Sequence, residues 1–343
     1  MTHAGNIEEL AEAPTAVEVA ADAAPHGRRF VDERDLTKVD AFLDTIEGPL
    51  ERWFRPVVRG MERIPSGSAL MVANHNGGVL MPDLWMLGAA MRAARGSDQL
   101  PYALVHDAAL DAPVIGPAVR ALGAVRASHD GADALFRAGK KVLVFPGGDV
   151  ENLRPFAHRD RIVFGPRRGY VRLAIRHGVP ISPVVTSGAH SGMIVLDDGQ
   201  KIARALGFTK LRIHVCPTVL TVPWGLTIGF PPPYLPLPVR VYIEALPPIH
   251  FARYGRAAAE DASYVEACHQ EIVRTMQAAL LRLSAERRAA RRERIDVVID
   301  GWLDRALGLL APAIDPASVL PPLHAVPAAR PGPRLVRPTR AAA

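Results

Sequence analysis

Cysteine is almost missing from this chain. Its two copies, Cys216 and Cys268, have neither the CxxC spacing of a zinc site nor the pattern of a disulfide framework, so a reducing compartment is expected. Aromatic residues are only 6% of the sequence and do not interleave with its basic residues. Nucleic acid is therefore the weakest anionic partner to consider. No apolar run has the length and continuity to span a bilayer. The most apolar stretch, Val215 to Pro238, is broken by Pro217, Pro223, Pro231, Pro232, Pro233, Pro236 and Pro238. The acidic first residues lack an apolar core of signal-peptide length, and no targeting segment is expected. Familiar catalytic signatures are missing as well. Gly147-Gly148-Asp149 does not supply the Lys-Ser/Thr ending of a phosphate loop, and there is no HExxH. In Gly188-Ala189-His190-Ser191-Gly192 the serine stands one place late for a nucleophile elbow. No metal is implied.

The two ends hold charge without core. Residues 1 to 25 contain Glu8, Glu9, Glu12, Glu18 and Asp22 and no Lys or Arg, while residues 312 to 343 are rich in proline and hold four arginines against one aspartate. Both read as disordered tails. They carry −5 and +3, which leaves residues 26 to 311 at +8 against +6 for the whole chain. A body so charged favours anionic partners such as phosphate-bearing substrates or acidic lipid head groups. The expected division is an acidic tail over 1–30, a folded unit with a leading amphipathic helix over 31–255, helices over 256–311 and a Pro/Arg-rich tail over 312–343.

Hydrophobic periodicity predicts a helix over Asp32 to Met61, interrupted at Gly48-Pro49, with Trp53, Phe54 and Arg55 either packed on a sheet or placed at a lipid surface. Helices over Asp83–Ala94, Pro113–Leu122, Gly131–Ala138 and Arg167–His177 alternate with short strands at Ala69–Ala73, Tyr102–Val105, Val142–Phe145 and Ile181–Val185. Strands over Leu211–Cys216 and Val239–Ile243 complete the set. This alternation predicts an α/β fold, a central mostly parallel or mixed sheet flanked by helices. A C-terminal helical extension begins near Ala262, with Val265, Cys268, Ile272, Met276, Ala279 and Leu283 in one apolar stripe. The arginines from Arg287 to Arg294 read as a solvated face. Ile295 to Leu310 sets Asp296, Asp300 and Asp304 on a polar face suited to docking on the body or a partner.

The chemistry gathers at two strand ends. Leu70-Met71-Val72-Ala73-Asn74-His75-Asn76-Gly77-Gly78 delivers Asn74 and His75 to the end of an apolar run, followed by a glycine pair and by Pro82-Asp83 at a helix start. His75 and Asp83 are expected to face each other, the carboxylate fixing the imidazole tautomer and leaving one nitrogen as general base. Phe145-Pro146-Gly147-Gly148-Asp149-Val150-Glu151-Asn152-Leu153-Arg154 ends the second strand. Its backbone N–H groups are placed to cradle an oxyanion or phosphate, with Arg154, Arg126, Arg161, Arg167 and Arg168 adding cationic reach.

These blocks, with Gly123-Ala124-Val125-Arg126 and Val179-Pro180-Ile181-Ser182-Pro183-Val184, resemble the four ordered motifs of the PlsC-like phospholipid and glycerol acyltransferases over roughly residues 55 to 250. The likeness is greater to the branch near the monoacylglycerol and diacylglycerol acyltransferases. Seven residues separate His75 from Asp83 where the superfamily usually has four, and Gly147 stands where its third block usually has glutamate, with Asp149 or Glu151 as substitutes. The resemblance implies transfer of a fatty acyl group from acyl-CoA or acyl carrier protein to a glycerolipid hydroxyl, with no other cofactor. His75 would take the hydroxyl proton and Asp83 would orient it, with Asn74, Gly77, Gly78, Arg126, Gly147, Gly148, Asp149, Arg154 and Arg168 binding substrate. It also implies work at an anionic membrane surface, peripheral to the cytoplasmic face of the cell membrane, where Thr218 to Pro238 offers an amphipathic patch or closes an acyl tunnel. The rivals are a non-catalytic lipid-binding protein on the same fold and a thioesterase-like hydrolase.

Overall fold

The computed structural model describes residues 33–211 and 213–290. Ten strands lie among them: β1 (Val57–Arg59), β2 (Leu70–Ala73), β3 (Tyr102–Val105), β4 (Ala124–Arg126), β5 (Val142–Val144), β6 (Ile181–Ser187), β7 (Ile194–Asp197), β8 (Thr218–Thr221), β9 (Gly225–Ile228) and β10 (Tyr242–Ala245). The described helices of eight residues or more are α1 (Leu36–Phe54), α2 (Pro82–Arg95), α3 (His129–Arg137), α4 (Gly169–Arg176) and α5 (Ala262–Ala290). The main sheet has the order β1-β10-β6-β2-β5-β3-β4. Five neighbouring strands, from β6 to β4, run parallel, and β10 turns antiparallel to β6 with β1 parallel beside it. This is the mixed, mostly parallel α/β sheet expected.

The two faces of β2 show how the layers form. Leu70 and Val72 point into a core shared with α3, α4 and α5. Met71 and Ala73 point into a second core with α1 and α2. A strand covered on both sides has no use for polar alternation, and all four of its residues are buried. The stripe read from the sequence in α5, from Val265 to Leu283, lies in the first of these cores.

Several local expectations change. The helix expected to reach Met61 ends at Phe54, where Arg55 takes a left-handed conformation before Pro56, and Val57 and Val58 become strand β1. Gly48-Pro49 does not interrupt α1, which runs through Pro49. Of the strand expected over Leu211–Cys216, the described residues 213–216 form none. In its place β7, β8 and β9 make a separate three-stranded antiparallel sheet, and Val215 packs under it. The charge run is not wholly solvated: Arg287 is buried, and burial lowers its pKa to about 10 beside Asp160, while Arg288 donates to that carboxylate at 2.9 Å. The terminal tails and the Ile295–Leu310 segment lie outside the described residues. No described helix is long and apolar enough to cross a membrane.

Candidate active site

β2 ends at Ala73, and the next three side chains are placed by hydrogen bonds that replace the finished ladder. Asn74 Nδ2 donates to the Thr186 carbonyl at 2.9 Å and Asn74 Oδ1 accepts from the Thr186 N–H at 2.8 Å, so one amide continues the β2–β6 pairing by a further step. Asn74 is fully buried and spent on this bracing. Its amide is committed to the framework, at the place where the motif leads to the expectation of a substrate contact.

His75 follows, partly exposed, with its ring stacked on Phe145 at 4.5 Å between centroids. Its backbone N–H donates to Glu151 Oε2 at 2.9 Å, and Glu151 Oε1 accepts from the Val163 N–H at 2.9 Å. Burial and the nearby Arg154 charge lower the His75 pKa to about 3, against opposing contributions from Asp149 and the Asn76 backbone. The imidazole is therefore neutral at physiological pH and able to accept a proton.

The expected pairing of Asp83 with His75 is not formed. Asp83 opens α2 as a buried residue, its Oδ1 side lying against Gly77, and no hydrogen bond or ion pair joins it to the His75 ring among the described residues. Burial raises its pKa to about 7, opposed by the N–H groups of Leu84 and Asp83, the Arg154 charge and the Asn76 amide. The carboxylate whose charge favours an imidazolium at His75 is Asp149. Asp149 Oδ2 accepts the His214 N–H at 2.6 Å, and its Oδ1 faces Arg167 at 3.5 Å.

Arg154 also departs from expectation. Its side chain is 2% exposed and donates to the carbonyls of His75, Glu151, His158 and Arg159 and to Asn76 Oδ1, at 2.5 to 3.0 Å. With every branch of the guanidinium committed internally, Arg154 shapes the His75 loop and its donors are spent within the protein. Arg126 is held by Asp107 and Asp111, and Arg168 by Glu266 and the Gly165 carbonyl, so both cations are already compensated.

The glycines are required by close approach. A Cβ on Gly147 would stand 2.2 Å from Glu151 Cβ and 2.5 Å from the Val163 carbonyl. Gly78, at φ +62°, meets Tyr234 Oη at 2.5 Å from its would-be Cβ, and Tyr234 donates to the Gly77 carbonyl at 3.2 Å. Gly148, at φ +54°, leaves room for Arg167, which donates to the Pro146 carbonyl at 3.0 Å.

The family model of the Acyltransferase domain matches residues 55–187, the span that holds both strand ends. An uncharacterised protein of Mycobacterium tuberculosis is 33% identical over 253 residues, covering 72% of this chain and 68% of its own. The chain belongs to the Acyltransferase family. Among its relatives, diacylglycerol O-acyltransferase 2 of Danio rerio is 27% identical over 97 residues, 26% of this chain and 27% of that one. A mouse enzyme described as a DGAT1/2-independent enzyme synthesizing storage lipids is 26% identical over 192 residues, 55% of this chain and 56% of its own. A solved structure, the 1-acyl-sn-glycerophosphate acyltransferase PlsC of Thermotoga maritima, aligns with a TM-score of 0.45 and 17% identity over 76% of this chain and 89% of that one.

Within this acyltransferase, four side chains at the site carry no signal in the local motif. Phe145 heads the second block without a role of its own there, and Tyr234 stands in the proline-broken stretch. His214 reaches Asp149 from a segment read as strand. His190 is buried with Nε2 within 2.8 Å of the Arg154 carbonyl, and Nδ1 has no partner among the described residues.

Proposed function

We propose that this acyltransferase moves a fatty acyl group from an acyl thioester, acyl-CoA or acyl carrier protein, to a hydroxyl of a glycerolipid. The observation that carries the reading is the neutral, partly exposed His75 at the carboxyl end of the central strand, between two glycine-bearing loops. The imidazole accepts the hydroxyl proton as that oxygen attacks the thioester carbonyl, and Asp149 stabilises the imidazolium that results. When the tetrahedral intermediate collapses, the proton returns to the leaving thiolate, and no covalent enzyme intermediate is needed. The Gly77 and Gly78 N–H groups make no hydrogen bond among the described residues, whereas Gly148 N–H is spent on the Phe145 carbonyl at 3.0 Å. This favours the first pair as donors to the developing oxyanion, a contribution that reaches ~3 kcal/mol.

A product or acceptor with long acyl chains partitions into lipid, which places the reaction at a membrane surface, and the basic body suits an anionic one at its cytoplasmic face. The test is labelled acyl-CoA or acyl carrier protein supplied with a panel of glycerol phosphate, lysophospholipid, monoacylglycerol and diacylglycerol. Acceptor-dependent ester is the expected product. Free fatty acid alone would mean a hydrolase, and no turnover with any acceptor would mean a lipid-binding protein.

A further inference from the structure

From Pro217 to Val239 the chain has no charged residue and no histidine, yet this stretch lies largely on the surface. β8 and β9 pair with Leu220 opposite Leu226 and Thr218 opposite Ile228. Alternation sends Val219 inward to a small core with Met193, Val195 and Tyr234. The other face turns Leu220, Val222, Leu226 and Ile228 to solvent, Leu226 at 63% and Ile228 at 70% exposure. Trp224 and Phe230, at 51% and 50%, extend the same apolar surface past the turn. An outward hairpin face ordinarily carries polar side chains, and a patch of this kind marks an interaction site.

We propose that this hairpin face is a lipid-docking surface that seats the enzyme on an anionic bilayer. This rests on the reading above that the acceptor is a membrane lipid. Two tryptophans at the patch have their polar ends satisfied by backbone: Trp224 Nε1 donates to the Pro233 carbonyl at 2.8 Å, and Trp53 Nε1 at the end of α1 donates to the Pro236 carbonyl at 2.9 Å. Their rings are free to lie among lipid head groups and acyl chains. At the base of the hairpin, the short helix Gln200–Ala205 exposes Ile202 beside Lys201 and Arg204, and Leu206 and Lys210 follow. The three cations make no ion pair among the described residues. The nearby Asp197 and Asp198 accept the N–H groups of Gly199 and Gln200 at the start of that helix. Apolar insertion with cations at the margin is the chemistry of an anionic membrane interface, and a second copy of this face would set like charges together.

Packing under the patch reaches the site loop. An apolar groove of about 360 Å³ beside the hairpin is lined by Ile194, Leu220, Val222, Leu235 and Leu237, and Met193 and Tyr234, next to these in the chain, press on Gly78. Met193 and Tyr234 are the buried wall between this groove and the Gly77-Gly78 loop that follows His75.

The test uses the full chain with vesicles of phosphatidylcholine alone or with phosphatidylglycerol, scored by flotation, and the double variant Leu226→Asp, Ile228→Asp. Its folding is checked by circular dichroism, and Trp224→Ala serves as a second, milder variant. Wild type is expected to float with the anionic vesicles and less so at high salt, with Trp224 emission shifted to the blue. The double variant is expected to lose flotation at least tenfold, and Trp224→Ala to weaken it, while both still acylate a short-chain soluble acceptor. Equal flotation of wild type and folded double variant would overturn the proposal. So would a wild-type dimer that falls to monomer in the double variant without either floating, which would make the face a contact between copies. Flotation that depends on the hairpin in a protein with no transferase activity would keep the docking surface and remove the enzymatic reading instead.

Discussion

Glu151 accepts the backbone N–H of His75, 76 positions away in sequence, at 2.9 Å, and through its other oxygen holds the Val163 N–H. Its buried carboxylate, with Arg154 beside it, clamps the loop that carries His75. Burial raises its pKa, and the Arg154 charge works against that rise. A side chain in this position acts on chemistry by fixing where the imidazole stands.

The Arg154–Glu151 clamp is expected to be costly to break from one side. Arg154→Ala leaves the buried Glu151 carboxylate without its neighbouring charge and four carbonyls and Asn76 Oδ1 without their donor, a loss of ~3–5 kcal/mol, read as a large fall in melting temperature. Arg154→Lys is expected to recover little of it, because an ammonium cannot span acceptors spread over both edges of a planar guanidinium. Stability of the lysine variant equal to wild type would show that charge alone matters there.

Replacing His75 with Ala is expected to abolish acyl transfer with the circular dichroism spectrum unchanged, since the ring is at a strand end and stacks only on Phe145. Asp149→Asn is expected to lower kcat about tenfold or more with KM little changed, as the charge that favours the imidazolium is removed. Substantial turnover by His75→Ala would take the histidine out of the chemistry.

Asp83 gives a pH signature of its own. Its carboxyl keeps the proton up to about 7 in the folded protein, against 3.8 for the ordinary group. Between these values the unfolded chain holds fewer protons, so the stability gained from the neutral form is complete below the lower value and is lost as pH rises through the higher one. Asp83→Asn stays neutral throughout. Its melting temperature is expected to rise relative to wild type as pH goes from 5 to 8, and a constant difference would place the carboxyl in contact with water.

Tyr234→Phe removes one hydrogen bond, to the Gly77 carbonyl, and is expected to cost about 1 kcal/mol of stability. Gly78→Ala is expected to be worse, since the added methyl meets Tyr234 Oη and Met193 and the backbone is left-handed. If the pair acts together, Gly78→Ala in the Tyr234→Phe background recovers part of the lost activity, measured as kcat/KM.

Much of the fold is legible in the sequence because its signals are local. The run Leu70 to Ala73 is apolar throughout, as a strand covered on both faces must be. Ser128 caps α3, its side chain accepting the Gly131 N–H at 3.1 Å, and the helix starts two residues before the expected position. Arg55-Pro56 ends α1 by the same short-range logic, although the apolar spacing carried the expectation on to Met61.

By itself the sequence determined that His75 and two glycine pairs stand at strand ends of an α/β sheet, since periodicity and turn residues act over a few positions. Which carboxylate comes near the histidine was decided only by the tertiary structure. β5 lies directly beside β2, pairing Leu70 with Val142 and Val72 with Val144, so everything that follows β5 arrives at the His75 loop: Asp149 by charge, Glu151 by a backbone hydrogen bond and Arg154 by two. Asp83, closer in sequence, is carried off into the start of α2 by Gly77, Gly78 and the left-handed Met81. Proximity along a chain fixes the order of groups, and strand register fixes which of them meet.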